Sequence, residues 1–285
     1  MSPLGSPFRC YASAKRRFRP SFRAARRALA PAVFCAALLS ACAGSGPAPG
    51  TPSPLGDPAA ELAQPYSRGP LAHLPTPLEE LETLSAELGG PRILVKRDDQ
   101  TGLAFGGNKA RKLEYIFADA VEKEADVVIT WGGLQSNWCR QTAAAAAMLG
   151  MRSILLLAKR DDSPVVADGN LLLDEILGAE IHVLERGTNQ AEVAEKVAEE
   201  ERAKGHTPYV VCVGGSRTGG SMEEPLGAMG YLAAFLETHG QMASLGLEPD
   251  YMVIPTGSGG TQAGLIVGAA AAETDTKIVG ISVSG

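Results

Sequence analysis

The sequence predicts an α/β protein, with parallel or mixed sheets covered by helices. Short apolar runs of strand length alternate with longer amphipathic stretches from about residue 71 onward. That alternation implies crossover units and a parallel sheet covered on both faces. Several of the longer stretches close on a glycine, such as Gly150 and Gly178, which suits a helix C-terminus. Three polar, glycine-rich loops follow apolar runs, where open parallel sheets bind ligands.

LEELETLSAEL (78–88) reads as a helix and RILVKR (92–97) as a strand. Asn108 is a suitable N-cap, because its side-chain oxygen can accept from a free N–H of the first turn. After it, Leu113, Ile116, Phe117, Ala120 and Val121 recur at helical spacing and form one apolar stripe. DVVITW (126–131) reads as a buried strand, SNWCRQTAAAAAML (136–149) as a helix and RSILLL (152–157) as a strand. DGNLLLDEIL (168–177) is a helix, EIHVLE (180–185) a strand and NQAEVAEKVAEEERAK (189–204) a helix. YVVCV (209–213), a helix over 225–238, DYMVIP (250–255), a helix from Thr261 and KIVGISV (277–283) complete the series.

A chain of 285 residues is enough for one large domain or two modest ones. The net charge is −6, although residues 1–42 hold eight basic residues and no acidic one. The remainder is therefore more acidic still, which argues against a nucleic-acid partner. Five cysteines show no C-x-x-C pair, and no two of the four histidines have metal-ligand spacing. Neither a disulfide framework nor a metal site is expected.

Residues 1–42 read as a secretory signal: a basic region, a short apolar run and small residues at the end. The apolar run is shorter than the roughly 20 residues that span a bilayer. LSAC (39–42) resembles the bacterial lipobox, in which the cysteine, here Cys42, is lipidated. The expectation is a membrane-anchored periplasmic lipoprotein, with residues 43–70 as a Pro/Gly/Ala-rich linker. The alternative is a start downstream of Met1 and a cytoplasmic protein.

The three loops carry the chemistry. PTGSGGTQAGL (255–265) joins a strand to a helix, frees backbone N–H groups at the helix start and adds the hydroxyls of Ser258 and Thr261. That combination suits a phosphate. No lysine follows the glycines, as a P-loop requires, and G-x-G-G-x-x-x-G departs from the dinucleotide fingerprint. GGLQSNWCRQT (132–142) places Gln135, Ser136 and Asn137 at another helix start, more polar groups than an N-cap needs. In LAFGGNKARKLEY (103–115), Lys109 sits in a first turn, where the helix dipole disfavours a cation. Gly106 and Gly107 before it permit unusual dihedrals and close backbone approach. A lysine, a phosphate cradle and a side-chain amide together suit pyridoxal 5'-phosphate, which needs an imine-forming amine, an anion nest and a donor beside its ring oxygen.

VKRDDQTGLAFGGNKARKLEY, GGLQSNWCRQTAAAAAMLGM and IPTGSGGTQAGL, in that order, closely resemble the pyridoxal-phosphate enzymes that include D-cysteine desulfhydrase and 1-aminocyclopropane-1-carboxylate deaminase, with L-cysteate sulfo-lyase a further relative. The resemblance implies a tryptophan synthase β-like fold of type II. Its large domain would comprise 71–111 and 215–285, and an inserted small domain 112–214. It implies that Lys109 carries the cofactor and later acts as base. Asn137 would bond the ring oxygen, and Thr256, Gly257, Ser258, Gly259, Gly260 and Thr261 would hold the phosphate. Ser136 would face the substrate. The implied reaction is β-elimination from a small amino acid, D-cysteine giving pyruvate, sulfide and ammonia. Ring opening of the cyclopropane substrate, desulfonation of L-cysteate and a non-catalytic remnant are the alternatives. A homodimer is the implied assembly.

Three features depart from the family pattern. Trp138 follows QSN, where it either narrows the substrate pocket or packs behind Asn137. RTGGSMEE (217–224) reads as an insertion, either a mobile loop or a longer surface turn. The chain also stops at KIVGISVSG, directly after a strand, whereas relatives continue. The missing part would supply the group facing the pyridine nitrogen and an aromatic residue beside the substrate.

Overall fold

The computed structural model describes residues 66–283. The signal segment, Cys42 and most of the linker lie outside the described residues. In chain order the elements are β1 (Leu78–Glu80), α1 (Glu82–Leu88), β2 (Leu94–Lys96), α2 (Lys109–Glu122), β3 (Val127–Gly133), α3 (Asn137–Met148), β4 (Arg152–Ala158) and α4 (Gly169–Ile176). They continue with β5 (Glu180–Leu184), α5 (Gln190–Ala203), β6 (Pro208–Val210), α6 (Leu226–Ser244), β7 (Tyr251–Thr256), α7 (Gly260–Ala271) and β8 (Lys277–Ser282). Among the described residues, no helix is long and apolar enough to cross a membrane.

The main sheet is parallel, in the order β5-β4-β3-β6. Its inner strands are apolar on both faces because helices cover both. Val128, Leu155 and Leu157 point to one side, where Leu113, Ile116, Phe117, Trp138 and the alanines of α3 complete a core. Val127, Ile129, Ile154 and Leu156 point to the other, against Ala194, Val197 and Ala198 of α5. The two-residue period of a strand produces this division. A second parallel pair, β7-β8, flanks a smaller core of Tyr231, Ala234, Phe235, Leu265 and Ala269 between α6 and α7. Glycines set that helix contact. A Cβ at Gly264 would lie 2.2 Å from the Ala228 carbonyl oxygen, and one at Gly268 would lie 2.6 Å from the Phe235 Cβ.

The structure modifies several local expectations. Leu78–Glu80 is a strand rather than the start of a helix, paired antiparallel with β2 through Leu78↔Lys96 and Glu80↔Leu94. Pairing wins there because α1 buries no residue against the body, so its helical pattern brings little packing gain. Val121 is 51% exposed, so the α2 stripe ends at Ala120. Asn108 makes no side-chain cap and already has helical angles. The segment predicted as a strand over 209–213 leaves the ladder after Val210 and tightens into a 3-10 turn at Val213–Gly215. Gly150 and Gly178 do terminate their helices, with φ of 73° and 80°.

The insertion is tied to the sheet edge. The Ser221 N–H donates to the Val210 carbonyl, the Val210 N–H donates to the Ser221 hydroxyl, and Met222 is buried. Trp138 is a core residue. It is 2% exposed and its indole N–H donates to the Thr130 hydroxyl at 2.8 Å.

Candidate active site

Lys109 opens α2 behind a loop of unusual backbone. Ala104, Phe105, Gly106 and Gly107 have φ of 43°, 70°, 72° and 120°. A Cβ at Gly106 would fall 2.0 Å from the Asp99 carbonyl oxygen. The loop is closed by Thr101, whose hydroxyl donates to the Gly107 carbonyl and accepts from the Gly107 N–H, both at 2.9 Å. From α3, Arg140 donates to the Gly106 carbonyl at 3.0 Å. Gln141 packs so close that a Cβ at Gly107 would stand 2.9 Å from its Nε2. These contacts fix the entry of α2, which explains why Asn108 need not cap it. Lys109 is half-buried, and that desolvation lowers the pKa of its ammonium.

One turn on, Lys112 is 1% exposed. Its Nζ donates to the Gly214 carbonyl at 3.4 Å and lies 5.8 Å from the centroid of the Tyr231 ring. Burial, and then the neighbouring charge of Lys109, push its pKa down to about 7. The turn it reaches touches the glycine-rich loop after β7. Ser216 and Ser258 share a hydroxyl hydrogen bond of 2.8 Å. A Cβ at Gly260 would meet the Ser216 Oγ at 2.4 Å, and one at Gly214 would meet the Ser258 Oγ at 2.9 Å. Gly259 takes a left-handed φ of 79° and no side chain caps α7. The free N–H groups of that helix start stay available to an anion. Within the loop Gly257 and Ser258 are exposed, Thr256, Gly259 and Thr261 are half-buried, and Gly260 is buried.

The third loop lies after β3. Ser136 caps α3, its hydroxyl accepting from the Cys139 N–H at 3.2 Å. A Cβ at Gly132 would lie 2.7 Å from that hydroxyl, so glycine makes room for it. Asn137 is exposed, and its Oδ1 accepts from Asn170 at 3.0 Å. Gln135 bonds across to Asp168 and Asn170 at the start of α4. The α3 residues Arg140 and Gln141 join this loop to the glycines before Lys109.

The arrangement therefore gathers two desolvated amines, a helix N-terminus widened by glycines, and an outward amide. Sequence reasoning missed Lys112 and Ser216. Lys112 stands three residues after Lys109, a spacing that shares a helix face. Ser216 carried no signal of its own, because its partner Ser258 is far away in sequence.

Comparison with known proteins places the chain. The sequence profile described as pyridoxal-phosphate dependent enzyme matches residues 70–285. The chain belongs to this family. Among curated members it is similar to a putative 1-aminocyclopropane-1-carboxylate deaminase of Pyrococcus abyssi, 41% identical over 73% of this chain and 60% of that one. It is also similar to the D-cysteine desulfhydrase of Klebsiella pneumoniae, 40% identical over 77% of this chain and 65% of the relative. The 1-aminocyclopropane-1-carboxylate deaminase of Burkholderia ambifaria is 40% identical, over 78% and 66%. The chain thus spans about 60 to 66% of the length of these relatives. A solved deaminase homologue superposes with a TM-score of 0.71 at 39% identity, covering 81% of this chain and 66% of that one. A Thermus thermophilus threonine deaminase, 24% identical with a TM-score of 0.57, shares the type II fold.

The residues of this pyridoxal-phosphate dependent family member fit the cofactor. Lys109 is an amine whose neutral form burial favours, as imine formation requires. The capless, glycine-lined start of α7 is a space that any Cβ at Gly260 would crowd. Lys112 adds a second buried cation beside Lys109, and it acts on the turn that abuts the anion loop.

Proposed function

We propose that this protein eliminates a β-substituent from a small amino acid with pyridoxal phosphate, with D-cysteine as substrate and pyruvate, sulfide and ammonia as products. The desolvated Lys109, facing outward from a strained glycine loop, carries this reading. When bound, the cofactor supplies an electron sink that makes the substrate's α-proton acidic. The chain's own residues do the rest. Lys109 holds the cofactor and, once displaced by the substrate amine, takes up the α-proton; its lowered pKa leaves more of the neutral base at working pH. The charge of Lys112 lowers the cost of anion there and disfavours protonation of Lys109. The Thr256–Thr261 loop receives the phosphate, Asn137 donates to the ring oxygen, and Ser136 binds the substrate carboxylate or relays a proton.

Ring opening of 1-aminocyclopropane-1-carboxylate is the second reading. It is supported by relatives of both names at the same level of identity. The test begins with the whole chain and pyridoxal phosphate. Borohydride reduction followed by peptide mapping is expected to place the adduct on Lys109, and Lys109→Ala to abolish it while the fold persists. Sulfide and pyruvate release from D-cysteine, compared with ketoacid release from the cyclopropane and sulfite release from L-cysteate, then identifies the substrate. An adduct at another lysine would overturn the assignment.

A further inference from the structure

We infer that Asn170 is a positioning residue that dictates which end of the Asn137 amide faces the cofactor. The inference deepens the proposed function and rests on it. The Asn170 Nδ2 lies 2.8 Å from the Gln135 carbonyl oxygen and 3.0 Å from the Asn137 Oδ1. A backbone carbonyl can only accept, so the Asn170 atom facing it must be the amino group. Asn170 then has a donor, not an acceptor, to offer Asn137. The facing atom of Asn137 is its oxygen, and its own amino group is turned the other way.

The supporting bonds are anchored in the same manner. The Asn170 backbone N–H, a donor only, reaches the Gln135 Oε1 at 2.8 Å. The Gln135 Nε2 then donates to the Asp168 carbonyl at 3.2 Å and carboxylate at 2.9 Å. Main-chain groups of single role thus fix all three amides, and none depends on a free choice between oxygen and nitrogen. Gly169 brings the two loops together. Its φ is 49°, and a Cβ there would fall 2.5 Å from the Gln135 Oε1. Among the described residues, no acceptor meets the Asn137 amino group.

The consequence is chemical. Asn137 presents donors at the first turn of α3, where the helix field also favours negative charge. A ring oxygen placed there is stabilised as the anion, which promotes proton loss from the bound chromophore. Without Asn170 the amide is free to turn and offer its oxygen instead.

The test is a spectrophotometric pH titration of the pyridoxal-phosphate-loaded chain, in the wild type, Asn170→Ala, Asn137→Ala and the double variant. Asn137→Ala should raise the titration midpoint by about one pH unit, the scale of one hydrogen bond to a charged atom. Asn170→Ala should raise it in the same direction, and the double variant should rise no further than Asn137→Ala alone. Asn170→Ser, whose short hydroxyl cannot span both acceptors, repeats the measurement if the alanine variant fails to fold. A midpoint indifferent to both Asn170 substitutions, or shifts that add in the double variant, overturns the inference and leaves the proposed function standing. A wild-type chain that forms neither chromophore nor Lys109 adduct overturns both.

Discussion

Gly106 shows how much a single residue decides here. Its φ of 72° is costly for any residue with a side chain, and a Cβ would sit 2.0 Å from a backbone oxygen that cannot yield. Gly106→Ala is expected to lower stability by about 3 kcal/mol or more, read by urea denaturation, with loss of cofactor uptake because the entry to Lys109 shifts. Lys109 itself is unfavourable where it stands, a partly desolvated cation at the positive end of a helix. Its flanking glycines made it legible in the sequence, since two glycines before a helix have little purpose unless the backbone must turn sharply or approach something. Trp138 was not legible. The same residue beside QSN suits a pocket wall or a core, and only its bond to Thr130 decides for the core.

At the scale of elements, α2 is held by charge as well as by its apolar stripe. Arg111, 2% exposed, bonds to Asp98 and Glu237 at 2.9 Å, and Lys96 reaches Glu237 at 2.6 Å. Tyr231 of α6 adds a bond to Asp98 at 2.7 Å. Burial alone would raise the Glu237 carboxyl, but hydrogen bonds from Arg111 and Lys96 outweigh it and hold the pKa at about 2. A carboxyl depressed in the folded state stabilises it above its ordinary range near 4.5, and this contribution disappears as pH falls toward 2. Glu237→Gln should therefore cost roughly 3 kcal/mol at neutral pH and flatten the acid limb of the stability curve. Loss of stability between pH 5 and 2 that is the same in both proteins would contradict this account. Sequence patterning found α2 but not this network, because Arg111, Asp98 and Glu237 meet only after α6 has returned.

For the molecule as a whole, two amines buried for the site's use weigh on the fold. Lys112 has a pKa near 7 when folded and 10.5 as its ordinary value. Between those values the unfolded chain binds more protons, so stability should rise with pH. The cofactor-free chain is expected to gain up to about 1.4 kcal/mol per pH unit from this group between pH 7 and 9. Lys112→Met should remove most of that slope in denaturation measurements at several pH values. A slope that survives the substitution would show that Lys112 is not held unprotonated.

The sequence by itself determined the α/β alternation, the main parallel strands and the three ligand loops. These are local properties: strand and helix periods, glycine where the backbone must turn, and polar groups at helix starts. Tertiary structure alone decided that Leu78–Glu80 pairs as a strand, that Trp138 is core, and that the 217–224 segment lies along β6. It also brought Lys112, Ser216 and Asn170 to the site. Each of these depends on a partner distant in sequence, and side-chain pattern carries no record of which distant group will arrive. Burial and hydrogen-bond satisfaction are settled only when the chain has closed on itself.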